Sequence, residues 1–149
     1  MANNYTLFSQ VIDGVTPEEE TWLKEACTVP EPGEETSEVR KKLLEQYSHH
    51  VAYEDNFPMF DWHFGGKGEG RMFFIVSEED GSIDDIAVVV QEFLAKFRPD
   101  NFFQLSWAAT CSSPRVGEFG GGAVFVTAKG AKFMSDTEWL RLQREEFRP

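Results

Sequence analysis

The sequence predicts an α+β fold, a mainly antiparallel four- to five-stranded sheet with helices packed on it, in the order β-α-α-β-β-α-β-β-α. Three observations carry this expectation. Apolar residues alternate with period two in several short runs and recur with helical period in others. Paired runs are joined by glycine-rich turns and no βαβαβ alternation appears, so the pairing is mainly antiparallel. The 149 residues are 41% hydrophobic, with fourteen Phe and four Trp, enough apolar surface for one core without disulfides or metals. A single domain is expected over 1–149.

Taken in order, Tyr5 to Ile12 carries Leu7, Phe8, Val11 and Ile12 and reads as a strand with a bulge. Thr16-Pro17-Glu18-Glu19 starts a helix: Thr16 caps, Pro17 sits where a missing N–H costs nothing, and Glu19 completes a capping box. Trp22, Leu23 and Ala26 give that helix its apolar face. Pro30-Glu31-Pro32-Gly33-Glu34-Glu35 is a polar loop, and Ser37 to Tyr47 a second helix with Val39, Leu43 and Tyr47 on one face. Its Arg40-Lys41-Lys42 is the one basic cluster, read as a solvated face.

Met59 to Phe64 alternates as a short strand, Gly65 to Gly70 turns, and Arg71 to Ser77 returns as an arm apolar on both faces. Ser82 caps the strongest helix, with Asp84 and Asp85 at the positive end of its macrodipole and Ile83, Ile86, Val90, Phe93, Leu94 and Phe97 in one stripe. Arg98-Pro99-Asp100 stops it. Phe102 to Cys111 is a strand that buries Phe103, Leu105, Trp107, Ala109 and Cys111 on one face. Ala123 to Ala128 is the next strand. Ser135 caps a last helix, with Glu138 completing a box and Trp139, Leu140 and Leu142 docking it.

Charge narrows the function classes. Net charge is −12, and it is unevenly spread: residues 1–100 hold 21 acids and 8 bases, a balance of −13, whereas residues 101–149 hold 5 acids and 6 bases, a balance of +1. Nucleic acid needs a basic stripe to displace counterions, so direct nucleic-acid binding is not expected, nor is binding to an anionic membrane. The apolar runs are far short of a membrane span, and Met1-Ala2-Asn3-Asn4-Tyr5 lacks a basic region followed by an apolar one. With two cysteines in unrelated contexts, this predicts reduced thiols and a cytoplasmic location. The electrostatic complement of such a chain is a partner with a basic surface.

Two sets of residues compete for function. The first is acidic. Glu78, Glu79, Asp80, Asp84 and Asp85 place five carboxylates in eight residues, more than one helix terminus uses, and Glu31, Glu34 and Glu35 form a second acidic loop. The second set lies in Thr110 to Ala123, where a thiol, two hydroxyls, Arg115 and the glycines Gly120, Gly121 and Gly122 adjoin. Freed amides and Arg115 could cradle an anion, and Cys111 with His63 and a carboxylate such as Asp61 or Glu118 could form a nucleophilic set. The glycines enter a strand rather than a helix, so no phosphate loop of the Walker type is present, and a long hairpin whose glycines let backbones approach closely or form a bulge is the preferred explanation. His49 and His50 lack a third ligand at useful spacing, and the acidic run lacks the calcium-loop pattern; no metal or cofactor is expected.

The stretches Asp80 to Asp100, Phe103 to Cys111 and Pro114-Arg115-Val116-Gly117-Glu118-Phe119-Gly120-Gly121-Gly122-Ala123, with the closing Trp139-Leu140, resemble a family of small uncharacterised proteins of bacteria, phages and mobile elements. The resemblance spans about residues 58–145 and brings no catalytic role. It implies an accessory protein of a phage or mobile element, of the kind that disarms a host defence protein by occupying its DNA-binding surface. The sequence reading is therefore a non-enzymatic acidic binding or inhibitor protein engaging a basic, nucleic-acid-binding partner. The alternative is a small enzyme or anion-binding protein with its site at the Cys111 to Gly122 hairpin.

Overall fold

The structure is a computed structural model that describes residues 3–51, 53–67 and 70–148; part of the turn expected over Gly65 to Gly70 lies outside them. The elements are β1 (Asn4–Val15), α1 (Pro17–Cys27), α2 (Glu38–Tyr47), a single 3-10 turn at Glu54–Asn56, β2 (Asp61–Gly65), β3 (Arg71–Ser77), α3 (Ile83–Phe97), β4 (Phe102–Cys111), β5 (Gly120–Thr127), β6 (Gly130–Ser135) and α4 (Asp136–Glu146). The six strands form one antiparallel sheet in the order β2-β3-β1-β4-β5-β6. The α+β class and antiparallel pairing match the sequence reading; the strand count does not. The added strand is β6, joined to β5 by the two residues between Thr127 and Gly130, which are themselves paired. Thr127 Oγ1 accepts from the Lys129 amide and so supplies turn chemistry that no Asn-Gly or Asp-Gly dipeptide advertised.

Every strand residue that is fully shielded points the same way. Phe8 and Ile12 of β1, Phe73 and Ile75 of β3, Phe103 and Leu105 of β4, and Val124 and Val126 of β5 share one face. The apolar faces of α1, α2 and α3 close over it. In α3, Ile86, Val89, Val90 and Phe93 are buried, and Trp22 of α1 meets Phe93 and Phe97 with ring centroids 6.1 Å away in each case. Burying one such side chain is worth about 1.5–3 kcal/mol, so this seam dominates cohesion. β1 serves both halves of the sheet: residues 4–7 pair with β4 and residues 8–15 with β3. Where β1 leaves β4, the Gln10 side chain spans the gap, donating from Nε2 to the Gln104 carbonyl at 2.9 Å. The bulge expected within Tyr5 to Ile12 is not there, since residues 8–12 pair with β3 in unbroken register; the register shifts beyond it, between Ile12 and Val15, where Gly14 turns the chain at φ 63°.

Helix starts follow the caps. Thr16 and Glu19 form a reciprocal box, and Ser37, Ser82 and Ser135 each accept from the amide three residues on. Glu138 departs from expectation: its carboxylate turns to Arg141 instead of the cap amide. α4 also does not dock as expected. It has no buried residue, and Trp139 and Leu140 are 53% and 54% exposed. Trp107, expected to be deeply buried, is half-buried near the end of the helical cover.

Two buried charges hold the helical layer. Arg40, expected on a solvated face, is buried, donating from Nε to the Phe57 carbonyl at 2.8 Å, from Nη2 to the Glu54 carbonyl at 2.7 Å and from Nη1 to Thr36 Oγ1 at 3.0 Å. It thereby ties the irregular 48–60 segment to α2. Lys41 and Lys42 are exposed, as the polar pattern requires. Glu19 is buried and takes a fork from Arg98 Nε (2.8 Å) and Nη2 (3.1 Å), while Arg98 Nη2 also donates to the Gly14 carbonyl. One contact thus joins the β1 bulge, the start of α1 and the end of α3. Burial pushes the Glu19 carboxyl up, but hydrogen bonds from Arg98 and the Thr16 amide, with the guanidinium charge, outweigh it and hold Glu19 below the ordinary value.

Arg40→Met leaves the buried Phe57 carbonyl without its Arg40 donor and takes one of two donors from the Glu54 carbonyl, and is expected to destabilise the fold by about 2–3 kcal/mol in urea unfolding, against less than about 0.5 kcal/mol for Lys41→Met; equal effects would place Arg40 outside the core. Because the folded Glu19 titrates lower than its ordinary 4.5, its pair with Arg98 contributes fully above that value and is lost as pH falls through the folded pKa. The stability gap between wild type and Arg98→Gln should therefore narrow between about pH 6 and pH 3, and a gap independent of pH would rule the pair out as its cause.

Candidate functional site: an acidic turn and an open sheet face

The turn between β3 and α3 is built from the end of the sheet outward. Ser77 Oγ donates to the Thr6 carbonyl at 2.7 Å, the Thr6 amide donates to the Glu79 carbonyl at 2.7 Å, and the Ser82 amide donates to the Met59 carbonyl at 2.7 Å. Gly81 lies flat on the core: a Cβ there would overlap the Phe8 ring and sit 2.8 Å from Ser77 Cβ. With the turn pressed inward at Gly81, Glu78, Glu79 and Asp80 project outward and are exposed, as is Asp84 in the first turn of α3. None of these four takes part in an ion pair among the described residues.

Asp85, expected with them as a contact residue, is corrected by the structure. It is buried, and its Oδ2 accepts from the Met59 amide at 2.8 Å. Burial pushes its carboxyl above the usual range against the pull of the Met59 and Ser82 hydrogen bonds, and the neighbouring Asp84 charge adds to the rise. Its role is to fasten the segment before β2 to the start of α3, not to meet a partner. The acids Glu31, Glu34 and Glu35 are exposed on the separate loop between α1 and α2. Gly33 turns that loop at φ 90°, and Ser37 Oγ anchors its end on the Glu25 carbonyl at 2.6 Å.

The alternative site does not assemble. Cys111 pairs with Asn4 of β1, whereas His63 pairs with Phe74, which in turn pairs with Val11. Seven residues along β1 and three strand spacings across the sheet separate them, about 23 Å by about 14 Å. His63 is exposed and stacked on Phe74, ring centroids 4.7 Å apart, and Cys111 is half-buried at the far end of its strand. The nucleophilic set of Cys111, His63 and Asp61 or Glu118 is therefore withdrawn. Arg115 is exposed in the β4–β5 connection. Gly121 donates its amide to Asp136 Oδ1 at 3.2 Å, so the chain's own carboxylate holds a group that an anion would use. The glycines answer to packing instead. A Cβ on Gly120 would lie 2.7 Å from Asp136 Oδ2, one on Gly121 2.6 Å from the Trp107 carbonyl oxygen, and one on Gly122 would overlap the Trp107 ring. Cys27 is buried as the last residue of α1, and burial pushes its thiol well up, leaving it inert.

A surface that the sequence reading missed is the second face of the sheet. The strand residues opposite in parity to the core include Leu7 and Val11 of β1, Phe74 and Val76 of β3, and none is fully buried. On the β4–β6 side, Phe102 is 60% exposed and Phe125 41% exposed, stacked with ring centroids 5.1 Å apart. Beside them runs a groove of about 610 Å³ whose lining includes Gln104, Ser106, Ala123, Phe125, Lys132 and Met134. Phe102, Phe125 and Met134 lie on the same face as Gln104 and Ser106, a grouping that depends on the strand register and is not visible within any one strand. Among the described residues no group of His, Cys, Asp and Glu is arranged to hold a metal, and no helix is long and apolar enough to cross a membrane.

Comparison of the chain with family models, with characterised proteins and with solved structures finds no match.

Gly122→Ala forces a methyl into the Trp107 ring and within 2.5 Å of the Met134 carbonyl oxygen. Thermal or urea unfolding should show a loss of about 2 kcal/mol or more. A neutral substitution would mean that the β4–β5–β6 backbones are not packed as described and would reopen a functional reading of the glycine run.

Proposed function

We propose that this protein is a non-enzymatic binding protein that engages a basic protein partner through the acidic turn of Glu78, Glu79, Asp80 and Asp84, with Glu31, Glu34 and Glu35 as a second contact. One observation carries the reading: four exposed carboxylates crowd the β3–α3 turn and the first turn of α3, and among the described residues none of them is in an ion pair, on a turn held by backbone hydrogen bonds to β1 and to Met59. Unneutralised like charge of this density is unfavourable for the isolated molecule and is relieved by a cationic surface. The positive end of α3 offsets only part of it. The family resemblance supports a nucleic-acid-binding protein, such as a host defence protein, as the partner class, and a phage or mobile element as the setting.

Complementary charge acts mainly on association rate and is screened by salt. Basic proteins retained from host lysate by the immobilised protein at low salt should elute as salt is raised. Against the retained partner, the triple reversal Glu78→Lys, Glu79→Lys, Asp80→Lys should slow association roughly ten-fold or more while leaving the unfolding midpoint unchanged. Retention that is indifferent to salt, or a triple variant that associates at the wild-type rate, would move the partner to another surface; tight direct binding to DNA would end this reading.

A further inference from the structure

We infer that the β4–β5 connection carries a proteolytic processing site, the Arg115–Val116 bond, open to an endopeptidase that selects a guanidinium side chain, and that the cut molecule stays assembled. The bases of the chain narrow the choice. Of 14 Lys and Arg residues, nine lie within helices or strands, where a protease must wait for the backbone to open. Arg98 and Arg148 each precede a proline, whose fixed ring and missing N–H such an enzyme does not accept after the cut bond. Lys129 sits in the tight turn between the paired Thr127 and Gly130, too short to extend into an active site. Lys67, in the turn beyond the paired Gly65 and Met72, is the remaining rival. Arg115 has the longer connection, residues 112–119 between β4 and β5.

The local structure presents this bond. Val116 is 102% exposed, and Arg115 before it is exposed as well. The Ser112 amide donates to the Asn3 carbonyl at 2.8 Å and closes the base of the connection. Past that point the Arg115 amide donates to the Ser113 carbonyl at 2.8 Å and the Glu118 amide to the Arg115 carbonyl at 3.4 Å, bonds internal to the segment. Gly117 turns the tip at φ 79°, with open space where a Cβ would stand. Such bonds open without disturbing the core, and exposed tips of this kind are where nicking concentrates. The guanidinium fills a specificity pocket with a carboxylate at its base. Residues 101–149 hold a balance of +1, so that approach avoids the −13 of the first hundred. Hydrolysis adds one water across the amide, leaving a carboxylate on Arg115 and an ammonium on Val116. The pieces hold together because β4 and β5 stay paired from Phe102 and Thr127 to Ala109 and Gly120, with Val124 and Val126 in the core. The acidic turn lies wholly in the first piece, so this inference and the basic-partner reading fail separately.

Trypsin, which shares this side-chain preference, tests the site when added at a low ratio to the native full chain and followed by intact-mass spectrometry. The first products expected are residues 1–115 and 116–149. They should co-elute in gel filtration with an unchanged far-ultraviolet circular dichroism spectrum, and separate only in denaturant. Arg115→Gln should slow loss of the intact chain about ten-fold or more, because sites within helices and strands wait on local opening. Lys67→Gln should leave that loss at the wild-type rate. Both variants change exposed side chains, so each should keep the wild-type unfolding midpoint. A first cut at Lys67 or within a helix or strand overturns the inference. So does an Arg115→Gln chain lost at the wild-type rate, or a pair of pieces that come apart without denaturant.

Discussion

Because every helix that contributes to the core lies on one side of the sheet, the period-two alternation of six strands is forced into a single sense. A strand that slipped by one residue would carry its whole apolar set to the uncovered side. β1 bears most of this constraint, since it alone pairs with both halves of the sheet and must keep Phe8 and Ile12 inward across a bulge. The Glu19–Arg98 fork stands at that bulge and fixes how α1 and α3 leave the sheet. Where the constraint weakens, so does the packing: beyond the reach of α3, Trp107 is only half-buried, and α4 rests on the end of the sheet without joining the core.

The acidic turn follows from the same arrangement. A chain leaving β3 for a helix on the covered side must double back over Phe8, and only a residue without a side chain fits at Gly81. Residues before that point are pressed outward, so Glu78, Glu79 and Asp80 are exposed, whereas Asp85 lies past the turn and is drawn inward to the Met59 amide. Four of five neighbouring carboxylates thus remain in water and the fifth becomes structural, a division set by position relative to Gly81 rather than by residue type.

Much of this was legible because it is local. The caps at Thr16, Ser37, Ser82 and Ser135, the stripe of α3 and the alternation of β4 each declare themselves within a dozen residues. Arg40 did not, since its partners are carbonyls of an irregular segment fourteen and seventeen residues later, and a cluster of three bases carries no mark of which one turns inward. Glu19 and Arg98 are 79 residues apart and were each assigned a local task, capping and helix termination, which conceals a long-range pairing. β6 escaped because Ala131 and Phe133 are too few to establish an alternation and its turn lacks the usual residues. The convergence of Cys111 and His63 was plausible in a sheet of unknown order; with β3 and β1 interposed it is geometrically closed.

The two surfaces differ in the physics that makes them available. The acidic turn is exposed because a tight crossing over Phe8 leaves its side chains nowhere else to go, and its charge acts over roughly a Debye length, about 8–10 Å at ordinary salt. The sheet face is exposed because this chain has one helical layer for a sheet that has two sides, and its apolar groups act only on contact. Raising salt weakens the first kind of attraction. The glycines of β5 belong to this logic as well: at Trp107 and Met134 they let β4, β5 and β6 approach closely, Gly120 and Gly122 on the covered side and Gly121 on the open one. A larger residue at Gly121 would project on the open side, so the run that first suggested a ligand cradle is what leaves that end of the face clear.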